Sequence, residues 1–173
     1  MATVYFTASS LDGFIAGPGH SLDWLLRRDH DPQGPDSHAQ FMAGVGALVM
    51  GANTYQWLLD HLEGPWPYDI PSWVMTHRAF DPASASVRFS AAPVPAVHAE
   101  AVAAAAGRHV WLVGGGDLVG QFHDAGLLDE MHVQFAPATL GAGAALLPRR
   151  IDFDLVSLAR NRDFACARYV VRR

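Results

Sequence analysis

The feature that most restricts the fold is an apolar run, His109-Val110-Trp111-Leu112-Val113, that passes through Gly114-Gly115-Gly116 directly into a helical stretch from Asp117 to Ala125. A strand that feeds a helix belongs to a sheet with crossover connections, because parallel neighbours cannot be joined by a short hairpin. The succession recurs at Ala47-Leu48-Val49-Met50, which ends at Gly51, with a helix expected from Thr54. That helix carries Tyr55, Leu58, Leu59 and Leu62 at helical spacing, and Gly64-Pro65-Trp66-Pro67 closes it.

The rest of the chain fits the same plan. Val4 to Ala8 reads as a buried strand, and Ser10 to Gly17 continues it into a glycine-marked bend. Gly17 to Pro35 reads as a long functional loop holding one short helix around Leu22-Asp23-Trp24-Leu25-Leu26. Asp36 or Ser37 is placed to cap a helix through Phe41 and Met42. Ser72 to Met75 and Glu130 to Phe135 read as strands, Ala96 to Ala106 as an alanine-rich helix, and Phe153 to Leu158 with Phe164 to Val171 as a closing antiparallel pair. The expected fold is an α/β three-layer sandwich, its largely parallel sheet covered on both faces and ending in an antiparallel C-terminal edge.

At 173 residues the chain fits one domain, spanning 1–173, and half of its residues are hydrophobic, enough to bury a core unaided. A net charge of -5 leaves no positive footprint for a nucleic acid backbone. No apolar run approaches the roughly 20 residues of a membrane span. The first residues run straight into a strand-like segment, so no leader is expected, and a single cysteine, Cys166, suits a reducing cytoplasm and reads as a small buried hydrophobe.

Three segments carry candidate chemistry. In Val113-Gly114-Gly115-Gly116-Asp117-Leu118, the missing β-carbons let backbone approach a ligand, and the N–H groups of the helix start suit a phosphate. The alternative is a tight strand-to-helix turn with Asp117 as an ordinary helix-start carboxylate. The Rossmann fingerprint is excluded because Val119 stands where its last glycine belongs. In Met50-Gly51-Ala52-Asn53-Thr54, Thr54 either caps the helix or donates to a phosphate. In Thr76-His77-Arg78, the planar, permanently charged Arg78 suits a phosphomonoester, or else is a solvated loop residue.

Taken in order, Ser9-Ser10-Leu11-Asp12-Gly13-Phe14-Ile15-Ala16, Met50-Gly51 with Thr54-Tyr55, Thr76-His77-Arg78, Val113-Gly114-Gly115-Gly116, Leu127-Leu128-Asp129-Glu130 and Pro137 to Gly143 closely resemble the dihydrofolate reductase-like family. Within it the chain resembles stand-alone relatives of the C-terminal reductase domain of riboflavin biosynthesis. The resemblance implies a mixed sheet of about eight strands with NADPH across the strand ends and hydride transfer to a small heterocyclic or carbonyl substrate, pterin- or pyrimidine-like. It implies that Gly114, Gly115, Gly116, Asp117 and Leu118 meet the pyrophosphate, and that Gly51, Asn53 and Thr54 meet the cofactor phosphates. Thr76, His77 and Arg78 would meet the adenosine phosphate, with Ile15 and Ala16 near the nicotinamide. The family commonly carries arginine where this chain has Ala52, which leaves Arg78 to hold a 2′-phosphate and keeps NADH open as a cofactor.

The product of hydride transfer also needs a proton, and a poorly solvated carboxylic acid is the usual donor. Asp12 and Asp36 are the two candidates; a turn carboxylate and a helix cap are their structural alternatives. Asp23 reads as a surface residue. The loop Trp66-Pro67-Tyr68-Asp69 either walls a planar substrate or belongs to the core or a subunit contact. The resemblance at Leu140-Gly141-Ala142-Gly143 implies a homodimer, with an edge-strand turn as the alternative. The nine histidines form no defensible metal-ligand spacing, so no metal is expected. The second functional class left open is a nucleotide-binding module of the same fold without turnover.

Overall fold

The computed structural model describes residues 1–173. Its elements in chain order begin with β1 Thr3–Ser9, β2 Phe14–Ala16, α1 Asp23–Leu26, α2 His38–Met42, β3 Val45–Gly51, α3 Ala52–His61 and β4 Ser72–Met75. They continue with β5 Val87–Ser90, α4 Val94–Ala105, β6 His109–Gly114, α5 Gly116–Asp124, β7 Glu130–Phe135, β8 Ala144–Ala145, β9 Phe153–Asn161 and β10 Phe164–Val171. Eight strands form one sheet in the order β5-β4-β3-β6-β1-β7-β10-β9. The pairs from β5 to β7 are all parallel, and β10 runs antiparallel to both β7 and β9. β2 and β8 make a separate two-stranded ribbon.

Side chains alternate across a strand, so a strand that is apolar at every position must be covered twice. Tyr5, Ala47, Val49, Trp73, Val110 and Leu112 pack in one cluster with Val97 and Ala101 of α4 and Phe122 of α5. Their neighbours Phe6, Leu48, Met50, Val74 and Trp111 pack in a second cluster with Tyr55 of α3, and Phe41 of α2 lies against it. Each of the larger side chains buried in this way contributes about 1.5–3 kcal/mol relative to exposure. Trp66 belongs to the second cluster, edge-on to Tyr68 at 5.4 Å between ring centroids, so the core alternative holds for that loop. Cys166 is buried as read, and burial pushes its thiol up.

Several boundaries differ from expectation. α3 opens at Ala52, with Gly51 at its cap in ordinary extended backbone and no side-chain cap, which puts Thr54 inside the first turn rather than at the cap. The cap of α2 is Ser37, whose hydroxyl accepts the Gln40 N–H at 3.3 Å, and not Asp36. β5 and β8 carry no sequence signal. Val87-Arg88-Phe89-Ser90 follows a Pro- and Ser-rich stretch and forms a sheet edge, while Ala144–Ala145 is too short to show any period. No helix is long and apolar enough to cross a membrane.

Candidate functional site

β4, β3, β6 and β1 lie side by side and parallel, so the segments leaving their C-terminal ends open on one side of the sheet, where α/β sheets bind ligands. A cleft of about 890 Å³ lies there. All the candidate cofactor residues except Gly114 line it: Ile15 and Ala16 beyond β1, Gly51, Asn53 and Thr54 after β3, Thr76, His77 and Arg78 after β4, and Gly115, Gly116, Asp117 and Leu118 after β6. Residues distant in sequence converge because each belongs to the same kind of junction. Trp57, Leu58 and Pro148 add apolar wall that the motifs did not signal.

The three glycines have three different reasons. Gly114 has φ +132°, a backbone conformation that L side chains rarely adopt. At Gly116 a β-carbon would overlap the carbonyl oxygens of Ala145 and Leu146, so the ribbon segment sits directly on the start of α5. Gly115 has ordinary extended backbone (φ −77°, ψ 179°), and a β-carbon there would meet only Ile15 Cδ1, at 3.8 Å. Gly51 is similar, with φ −86°, and a β-carbon there would meet only ordinary contacts of 3.7–4.0 Å. No positive φ and no close contact requires glycine at 51 or 115. Both line the cleft where the starts of α3 and α5 meet, and bare helix-start backbone there has the form of an anion cradle.

Charge is arranged around that cradle. Arg149 donates from Nε to Asp124 at 3.0 Å and from Nη2 to Asp117 at 3.3 Å, holding the exposed Asp117 carboxylate toward its own side. Farther along the cleft, the Arg78 guanidinium has no carboxylate partner; every arginine ion pair in the structure uses Arg149, Arg162, Arg168, Arg172 or Arg173.

A second cavity of about 350 Å³ adjoins the first, and Thr7, Ala8, Leu25 and Val113 line both. Phe6, Trp111 and Phe164 give it aromatic surface, and Arg28, His30, Ser37, His38, Gln134 and Asn161 its polar groups. No motif signals this set, which is drawn from β1, the 17–35 loop, α2 and its cap, β6, β7, the end of β9 and the start of β10. The His38 ring lies 5.3 Å from that of Trp111, and burial lowers its pKa below the usual imidazole value.

The two candidate acids lie outside both cavities. Asp12 accepts the Ser10 hydroxyl at 2.6 Å, and its carboxylate also takes the backbone N–H groups of Leu140 and Gly141. The Ser10 hydrogen bond first, and then those N–H groups, hold its pKa below the ordinary carboxylate value, the reverse of what a proton donor needs. Asp12 therefore clamps the turn at Leu140-Gly141 to the bend after β1, which is the turn-carboxylate alternative. Asp36 stands before the Ser37 cap with φ 51°, and its carbonyl accepts the Gln134 side-chain amide at 2.7 Å.

The sheet order and the cleft at its strand ends define a dihydrofolate reductase-like α/β fold. The chain belongs to the RibD C-terminal domain family, whose signature matches residues 3–166. YwjB of Bacillus subtilis, a protein without a characterised function, is 30% identical over 145 residues, which is 83% of this chain and 81% of that one. Among solved structures, a protein of Shewanella sp. PV-4 provisionally assigned to riboflavin biosynthesis is 27% identical, with a TM-score of 0.84 over 100% of both chains. A pyrimidine reductase-like protein of Corynebacterium diphtheriae shares the fold at 16% identity and a TM-score of 0.71, over 99% of this chain and 92% of its own. So does the Thermotoga maritima diaminohydroxyphosphoribosylaminopyrimidine deaminase/5-amino-6-(5-phosphoribosylamino)uracil reductase, at 16% identity and a TM-score of 0.65, where this chain corresponds to 56% of the larger protein.

Proposed function

We propose that this protein is an NADPH-dependent reductase that transfers hydride to a small heterocyclic or carbonyl substrate of pterin or pyrimidine type. The observation that carries the reading is that the starts of two helices, at Gly51 and Gly115, line one cleft without side chains, with Arg78, which has no carboxylate partner, farther along it. The cleft is also within the size range of small-molecule and cofactor sites. When bound, the dinucleotide supplies the hydride. The chain's own part is to bind and orient: N–H groups at the start of α5 take the pyrophosphate, Thr76 and Arg78 the adenosine phosphate, and Ile15 and Ala16 bound the nicotinamide end. The substrate occupies the second cavity, and Thr7, Ala8 and Val113 form the junction at which the two ligands meet. No carboxylate faces that cavity, so the proton reaches the product from an imidazole or from water, with Asp12 and Asp36 left out.

Titration of the folded protein with NADPH and NADH by calorimetry tests the first half of this reading. Saturable binding with NADPH the tighter ligand is expected; binding of neither would overturn it. The missing carboxylate is also what favours a second reading, a nucleotide-binding module without turnover, and NADPH oxidation with any pyrimidine or pterin substrate would eliminate it. The exposed Leu155, Val156 and Leu158 on the edge strand β9 support association of two copies, and sedimentation at the mass of one chain would remove that proposal.

A further inference from the structure

An arginine on an exposed loop samples many rotamers, and fixing it on a ligand costs entropy. Arg78 leaves the loop after β4 already held. Its own N–H donates to Thr76 Oγ1 at 2.9 Å, and its Nη2 donates to Asn53 Oδ1, in the first turn of α3, at 3.2 Å. Its guanidinium carbon stands 5.0 Å from the centroid of the Phe80 ring, a cation–π distance. Phe80 is itself fixed, stacked on Phe89 at 5.8 Å and edge-on to the fully buried Tyr55 at 5.3 Å.

The hydrogen bond also sets the direction of Asn53. A guanidinium can only donate, so the oxygen of the Asn53 amide faces Arg78 and its NH2 group is left without a partner in the protein. The first turn of α3 and the loop after β4 thus present a positioned guanidinium beside a free amide donor, with no neutralising carboxylate. Ala52, one residue earlier, contributes no charge.

We infer that Asn53 and Phe80 are the positioning residues that make the cleft selective for a nucleotide carrying a phosphomonoester on its ribose, by holding the Arg78 guanidinium in place before the ligand arrives. The inference rests on the reading of the cleft as a dinucleotide site. It differs from a direct phosphate contact by Asn53 in what it makes Phe80 do, since Phe80 lies outside the cleft lining and reaches the ligand only through Arg78.

The test measures dissociation constants of NADPH and NADH, and of adenosine 2′,5′-bisphosphate as a fragment lacking nicotinamide, for the parent protein, Asn53→Ala and Phe80→Leu. The preference for NADPH over NADH is expected to fall about fivefold in Asn53→Ala and about threefold in Phe80→Leu, the range of one net hydrogen bond or one exposed cation–π contact. Adenosine 2′,5′-bisphosphate should weaken in parallel. Melting temperatures within a few degrees of the parent would show that both variants fold. Equal weakening of NADPH and NADH in both variants, or an unchanged ratio in Phe80→Leu, would overturn the positioning role while leaving the dinucleotide site intact. Failure of the parent protein to bind either dinucleotide would overturn the underlying reading together with this one.

Discussion

Gly116→Ala is expected to lower the melting temperature by roughly 5–10 °C, because inserting a methyl group against backbone costs about 1–3 kcal/mol, and each kcal/mol is worth ~2–4 °C in a chain of this size. The atoms in its way are the carbonyl oxygens of Ala145 and Leu146, which cannot rotate aside as the end of a long side chain can. They are also anchored. Ala145 pairs with Phe14, the Leu146 N–H donates to the Gly13 carbonyl at 2.8 Å, and the Leu146 carbonyl accepts the hydroxyl of the buried Tyr5 at 3.1 Å. Making room at residue 116 therefore means moving the β2–β8 ribbon, which carries Ile15 and Ala16, away from the cleft. Cofactor affinity should fall with stability. Gly51→Ala is the control, since a β-carbon there meets only ordinary contacts. It should shift the melting temperature by no more than about 2 °C, as for a substitution that breaks no packing feature, yet add a methyl group to the cleft lining where the two helix starts meet and weaken NADPH. A thermal melt and a calorimetric titration of the two variants separate a packing glycine from a ligand glycine; if Gly116→Ala melts with the parent, the ribbon is not held as described.

That pair also shows what the sequence could convey. Three glycines between a strand and a helix are legible as a special junction, but their separate reasons are not. The partners of Gly116 come from Ala145 and Leu146, joined to it by no local pattern, and only the fold brings them together. The strands were legible wherever both faces are buried, as in Leu48 to Met50 and Val110 to Leu112, since an unbroken apolar run has few other uses. The edge strand β5 was not, because Val87-Arg88-Phe89-Ser90 carries a charge and borders a single neighbour. The larger cleft was readable because much of its lining sits on consecutive motif residues at strand ends. The second cavity was not, because Gln134, Asn161 and His38 stand singly in segments whose patterns report only strand or helix.

Asp12 shows the same limit from the other side. A carboxylate beside glycine in a bend reads equally as a candidate acid or a turn carboxylate, and sequence does not reveal that Leu140 and Gly141 supply N–H groups to it. Its lowered pKa keeps the carboxylate charged, and the clamp intact, above its ordinary titration range; the clamp is lost only as pH falls through the lowered value. The residue thus fixes the relation between the bend that leads into Ile15 and Ala16 and the turn that leads into Gly143. At Gly143 a β-carbon would overlap the carbonyl oxygen of Ala16, so the clamp and the glycine hold the same wall of the cleft from two sides.

Arg78→Ala is expected to weaken NADPH about tenfold while NADH changes little. A hydrogen bond to a charged group contributes about 1.5–3 kcal/mol, and solvent exposure of Arg78 places the effect at the low end of the corresponding range. The difference between the two cofactors is the 2′-phosphate alone, so their ratio cancels any general damage to the cleft. Two further outcomes follow from the physics of the side chain. The advantage of NADPH in the parent protein should shrink between about 0.1 M and 1 M salt, as the Debye length falls from ~10 Å to ~3 Å. Arg78→Lys should recover only part of the preference, since an ammonium keeps the charge but lacks the planar fork that can donate to Asn53 and a phosphate together. Equal loss of NADPH and NADH in Arg78→Ala would remove Arg78 from the proposed phosphate contact, and the start of α3 offers no replacement charge, since residue 52 is alanine.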